Sequence, residues 1–197
     1  MFFKQNIFER LLKEAYKTCG IHISHRIING EYGAYQIAGT NWAAWIRDDK
    51  ITKEAKAAII KLCGDLPGPG EAFLAKKDYE NQYEIEGIYK NLQEELDECK
   101  IKMRITKLMT RRDGGLVRFL QAEEHTVAID QAIVDLVDKN AVDRDAGEEE
   151  PYGPLIESGN SLRVYWGNKE SCLMTIKLRP RKEEEEFWKE LSKLTII

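Results

Sequence analysis

Seven basic residues crowd into positions 100–118: Lys100, Lys102, Arg104, Lys107, Arg111, Arg112 and Arg118, against the single acid Asp113. The segment carries a formal +6 in a chain whose total is −4, so the remainder sums to −10. Segregated charge of this kind sets up a field that draws ligands of opposite sign. The chemistry on offer is electrostatic capture of phosphate or carboxylate. If residues 100–106 form a strand, Lys100, Lys102 and Arg104 leave one face while Ile101, Met103 and Ile105 enter the core. Arg111, Arg112 and Arg118 then join them from a turn at Arg112-Asp113-Gly114-Gly115 and from the returning strand. No aromatic residue interleaves with the cations, so the pattern offers grip on an anion without base stacking. A solvated hairpin face, with lysines that discourage edge pairing, accounts for the same residues. So does pairing with the acidic stretch Glu94, Glu95, Asp97 and Glu98 just upstream.

Cys19, His22 and His25 form the one cluster with metal-ligand spacing. A structural zinc site needs four converging nitrogen or sulfur ligands and a catalytic one at least three. Cys19 ends a helical pattern, whereas His22 and His25 would leave opposite faces of a strand. No metal is therefore expected, and no cofactor. A thiol–imidazole dyad would need an orienting third group, and the sequence supplies none. The five serines lie in no G-x-S-x-G turn. The glycines match neither the P-loop nor the dinucleotide fingerprint, since Pro67-Gly68-Pro69-Gly70 lacks the following Lys-Ser/Thr. The missing motifs favour binding over catalysis. Trp42, Trp45 and Trp166 are candidate interface anchors, because an exposed tryptophan on a strand is a typical hot spot.

Several elements must position these groups. Ile7, Phe8, Leu11, Leu12, Ala15 and Cys19 recur at helical spacing, with Gly20 as a stop. A period of two follows through Ile21, Ile23 and Ile27-Ile28, then Asn29-Gly30 predicts a type I′ hairpin turn into Tyr32–Ile37. Residues 42–46 read as a third strand. Thr52 caps a helix that buries Ala55, Ala58, Ile59 and Leu62 and ends at Gly64. Residues 72–76 read as a strand. Ile85, Tyr89, Leu92, Leu96, Cys99 and Met103 form a heptad-like seam, with helix expected to about Glu98 and strand after it. Residues 116–121 and 126–129 are strands, and Asp130 caps a helix through Val137. Residues 140–160 are the most loop-like stretch. Strands 162–166 and 172–178 flank Gly167-Asn168, and a final helix over 183–194 carries the stripe Phe187, Leu191 and Leu194.

The expected fold class is α+β, with antiparallel β-sheet hairpins and short flanking helices. Two arrangements suit it. One has similar subdomains over residues 1–82 and 100–197 joined by a helix over 83–99; the other is one continuous domain. The four widely spaced cysteines read as buried free thiols in a reducing compartment. The first residues lack a signal peptide's apolar run and no stretch is long enough to span a bilayer, so a cytoplasmic location without membrane contact is expected.

One family resemblance adds to this reading. The helix over residues 8–19 followed by three strands looks like one unit of a DNA sliding clamp. Pro154-Leu155-Ile156 followed by Leu173-Met174-Thr175-Ile176-Lys177-Leu178 is faintly similar to the clamp ending. The chain departs from that pattern in lacking a proline after Met174 and in continuing into a helix beyond Pro180. The function expected is therefore a binding or assembly protein, non-enzymatic, acting through surface contacts with a protein partner. The alternatives are a nucleic-acid-associated, clamp-like protein using the basic hairpin, and a small enzyme or metal site at Cys19, His22 and His25. Oligomeric state stays open.

Overall fold

A computed structural model describes residues 1–28, 32–83, 91–122, 125–142, 150–158 and 162–195. The fold is α+β with antiparallel sheets, as the sequence predicts. α1 (Gln5–Lys17) precedes a meander of β1 (Ile21–Ile28), β2 (Tyr32–Ala38) and β3 (Trp42–Arg47). This is the segment compared above with a clamp unit. α2 (Lys53–Cys63), β4 (Ala72–Ala75), β5 (Gln82–Tyr83) and α3 (Leu92–Glu98) follow, then β6 (Cys99–Lys102), β7 (Arg104–Arg112), β8 (Gly115–Ala122) and β9 (His125–Asp130). α4 (Gln131–Leu136), a second meander of β10 (Tyr152–Glu157), β11 (Arg163–Gly167) and β12 (Ser171–Ile176), and α5 (Glu185–Ser192) complete the chain.

Local chemistry explains the element ends. Thr52 Oγ1 accepts from Ala55 N at 3.1 Å to start α2, and Gly64 ends it in the left-handed region at φ 82°. Asp130 Oδ1 accepts from Ala132 N at 2.8 Å at the start of α4. Asp113 and Gly114 take φ of 52° and 81°, the positive pair that a type I′ turn requires between β7 and β8. The predicted turn at Asn29-Gly30 and the seam residues Ile85 and Tyr89 lie outside the described residues.

The two meanders meet. β3 pairs antiparallel with β12, giving a nine-stranded sheet in the order β5-β4-β1-β2-β3-β12-β11-β10-β6. Strands from residues 1–82 and from 100–197 thus share one sheet. β7, β8 and β9 form a separate three-stranded sheet. One face of the large sheet (Ile23, Ile37, Trp42, Ala44, Val164, Trp166, Leu173) packs on α1, α2, α4 and the inner face of the small sheet. The other face (Ala38, Ala43, Trp45, Leu155, Tyr165, Cys172) receives Leu92 and Leu96 of α3. The small sheet's outer face, through Val117, Phe119 and Ala128, receives Trp188 and Leu191 of α5.

Burial on both faces overturns three expectations. Trp42, Trp45 and Trp166 are 3%, 1% and 1% exposed, so none stands on the surface as an interface anchor. Trp42 and Trp45 do leave opposite faces of β3, but each face is covered. The loop-like stretch 140–160 contains β10, which pairs with β11 and β6 and buries Leu155 and Ile156. Pro154 is accommodated because the β10–β11 register shifts between Tyr152 and Leu155, where a missing N–H costs no ladder bond. α5 buries only Leu191; Phe187 within it and Leu194 beyond its end are exposed.

Leu96 carries the contact of α3 with the sheet and is fully buried. Leu96→Ala should cost about 2–5 kcal/mol by urea denaturation. A loss under about 1 kcal/mol would mean that α3 is not seated as described.

Candidate anion-binding edge strand

The chain changes sheets at Met103. Its side chain is fully buried and its N–H donates to Pro154 O at 2.8 Å, ending the pairing of β6 with β10. Exposure alternates as the sequence predicts: Lys100, Lys102 and Arg104 are exposed, Ile101 and Ile105 half-buried. Lys100 and Lys102 nevertheless belong to the outermost strand of the large sheet, and Arg104 to the outermost strand of the small one. Within β7, Arg104 pairs with Gln121 and Arg111 with Leu116. Positions 121 and 116 alternate to opposite faces of β8, so the two arginines do as well. Seven residues of strand set them about 20 Å apart. Six of the cations therefore lie on the outermost strands of two different sheets, Arg118 lies on the central strand β8, and the seven do not converge on one spot.

Three of them are engaged inside the fold. Lys100 Nζ donates to Asp97 O at 2.8 Å. Arg118 donates to Gln131 Oε1 at 2.7 Å and to Thr106 O at 2.8 Å. Arg112 donates to Arg179 O at 2.7 Å and pairs with Glu184 at 3.5 Å. The acidic stretch upstream contributes little to this balance: Glu95 is turned into the core, where it accepts from Arg163 and, at 2.8 Å, from Tyr165 Oη. Among the described residues, Lys102, Arg104, Lys107 and Arg111 have neither ion pair nor side-chain hydrogen bond, and all are exposed.

Two features of β7 carry chemistry that charge counting misses. First, the register with β8 shifts between Ile105 and Met109, where Thr106 turns inward and donates to Phe119 O at 2.8 Å. Lys107, within this irregularity, and Met109 and Arg111, beyond it, are exposed, while Leu108, Thr110 and Arg112 are half-buried. Second, Met109 and Leu116 are 44% and 43% exposed. Met109 lies opposite Arg118 and Leu116 opposite Arg111, so the two are diagonal neighbours on one face. The sequence signal for this was an apolar residue midway between Lys107 and Arg111 at period two. A cleft of about 210 Å³ opens beside the turn, lined by residues that include Arg112, Asp113 and Asp130. The Arg181 guanidinium bonded to Asp113, with Arg112 beside it, holds that carboxyl below its ordinary range. A charged Asp113 disfavours an anion there, so the anion-attracting surface is the edge.

The cysteine–histidine cluster does not assemble. His25 stacks on Tyr35, its Nε2 is 2.8 Å from Asp48 Oδ2, and it lies on the sheet face that α2 covers. His22, three residues earlier on β1, leaves the opposite face, and burial lowers its pKa. A Cβ at Gly33 would meet both side chains of the His25–Asp48 pair, so a larger residue there would have to displace them. Cys19 falls past the end of α1, with its Sγ 2.8 Å from Thr40 Oγ1. It is exposed, unlike Cys63, Cys99 and Cys172, which corrects the expectation of four buried thiols. Among the described residues no group of three His, Cys, Asp or Glu is placed to hold a metal ion, and no helix is long and apolar enough to cross a membrane.

Native protein at neutral pH should accept one maleimide, at Cys19, and denatured protein four. Rapid labelling of a second thiol in the native state would contradict the burial described. Burial pushes the Cys63 thiol from the usual 9.0 up to about 11. Burial first, then Glu157 and Glu95, pushes Cys99 to about 12. Both thiols keep their protons in the folded state above the pH at which the unfolded chain loses them, so their contribution is full below pH 9 and is lost as pH rises toward 11–12. The urea midpoint should fall across that window, and less steeply in Cys99→Ala; equal slopes would remove Cys99 as a cause.

Comparison of the chain with protein-family models, with curated proteins and with solved structures returns no match. Its chemistry stands on its own residues.

Proposed function

We propose that this chain is a binding or assembly protein that captures an acidic protein partner at the β7 edge. The observation that carries the reading is the row Lys107, Met109 and Arg111, exposed on an outermost strand, whose two cations have no intrachain partner among the described residues. Isolated surface cations are ordinary; a row that alternates with an exposed methionine has the mixed character of a contact surface. Charge distribution favours a short acidic segment over nucleic acid. A long polyanion would run past the +6 block into a remainder of −10, whereas a short segment can stay within the block. β7 also contains no aromatic residue for base stacking.

Lys107→Glu with Arg111→Glu alters two exposed side chains that the fold does not use. A fluorescent acidic peptide should bind the wild-type chain at low salt and weaken as salt screens the contact. The double variant should lose on the order of tenfold, because like charges then face each other. Equal binding by both proteins would sink the assignment to β7. Tighter, salt-sensitive binding of duplex or single-stranded oligonucleotide than of peptide would replace it with the nucleic-acid reading.

A further inference from the structure

Sheets normally protect their edges by shortness, proline, charge or a covering segment, because a bare edge presents unpaired N–H and C=O groups. Among the described residues there are four edges. β5 is two residues long and β6 four. β9 is bridged by Leu178, whose N–H donates to Ala128 O at 2.8 Å. β7 is nine residues long, holds no glycine or proline, and has no strand beyond it. Among the described residues its guards are the irregularity near Thr106 and its positive charge. Charge repels like partners and attracts opposite ones.

We infer that β7 accepts an extended acidic segment of a protein partner as a fourth strand of the small sheet, with acidic, apolar and acidic side chains at alternate positions. This rests on the binding role proposed above. The pattern follows from the edge. Met109 and Arg111 stand two residues apart on the regularly paired part of β7, and Lys107, two residues earlier in its irregular part, shares their exposure, so a strand laid alongside sets every second side chain against them. Asp or Glu complements Lys107 and Arg111, and a branched apolar residue complements Met109 and its diagonal neighbour Leu116. Backbone hydrogen bonds supply affinity that is indifferent to sequence, and the three side chains supply the selection.

A second copy of this chain is the less suitable occupant. Antiparallel pairing of two β7 strands centred on Met109 sets Lys107 of each copy opposite Arg111 of the other, and like charges directly opposite destabilise a ladder.

The test uses the full chain and four synthetic peptides: Thr-Asp-Thr-Val-Thr-Asp-Thr, a scrambled peptide of the same composition, and two patterned peptides N-methylated at alternate backbone nitrogens, one in each register. The patterned peptide should bind on the order of tenfold more tightly than the scrambled one. N-methylation in one register should abolish that advantage, because it removes the donors that face β7 while keeping every charge. Hydrogen exchange at the amides of residues 107–111 should slow when the patterned peptide is bound. If both N-methylated peptides bind as well as the parent and those amides are unaffected, strand addition is wrong and the contact is charge alone, leaving the binding role standing. If no acidic peptide binds at low salt, the binding role and the strand-addition mode fall together.

Discussion

The pairing of β3 with β12 is the constraint on which the rest of the fold depends. It joins two meanders from opposite ends of the chain, and Thr175 Oγ1 donates to Asn41 O at 2.9 Å across 134 residues of sequence. Once that seam closes, the central strands of both halves are flanked on both edges and covered on both faces. Trp45 and Trp166 then have nowhere to go but the interior, and α3 has a continuous apolar floor to lie on. Loop closure over such a distance costs entropy that only cooperative burial offsets.

A second constraint follows at the periphery. The large sheet ends at β6 and the chain must continue; Met103 is buried at the point of departure, and β7 starts a smaller sheet that packs beneath the larger one. The small sheet is wedged between the main core on its inner face and α5 on its outer face. Its outermost strand is left bare by the described residues. Lys102, Arg104, Lys107 and Arg111 sit on outermost strands and have no partner among the described residues. Charges on an exposed edge discourage pairing with a strand of like charge, and the same charges would favour an acidic one.

The internal polar groups have a different logic. Glu95 accepts from Arg163 and Tyr165 under α3, and His25 contacts Asp48 beside Gly33. The buried Glu95 carboxylate has matched donors, and both sets of contacts hold α3 and the end of β3 in place.

Much of the fold was legible from residues acting locally. Thr52 and Gly64 bracket α2, Asp130 starts α4, and Asp113-Gly114 turns β7 into β8, because capping and positive φ depend on a few adjacent atoms. The alternation that exposes Lys102 and Arg104 while Ile101 and Ile105 turn inward was equally plain. Composition hid β10, since Gly153 and Pro154 resemble a loop until β6 and β11 supply partners. It also left open which tryptophans would be exposed, because exposure depends on what covers a face. The sequence alone therefore determined the elements, the turns and a cationic segment with no stacking partner. The tertiary structure decided which strands became edges, where those cations point, and that Met109 and Leu116 stand beside them. Edges and faces are products of long-range pairing, which no local pattern encodes.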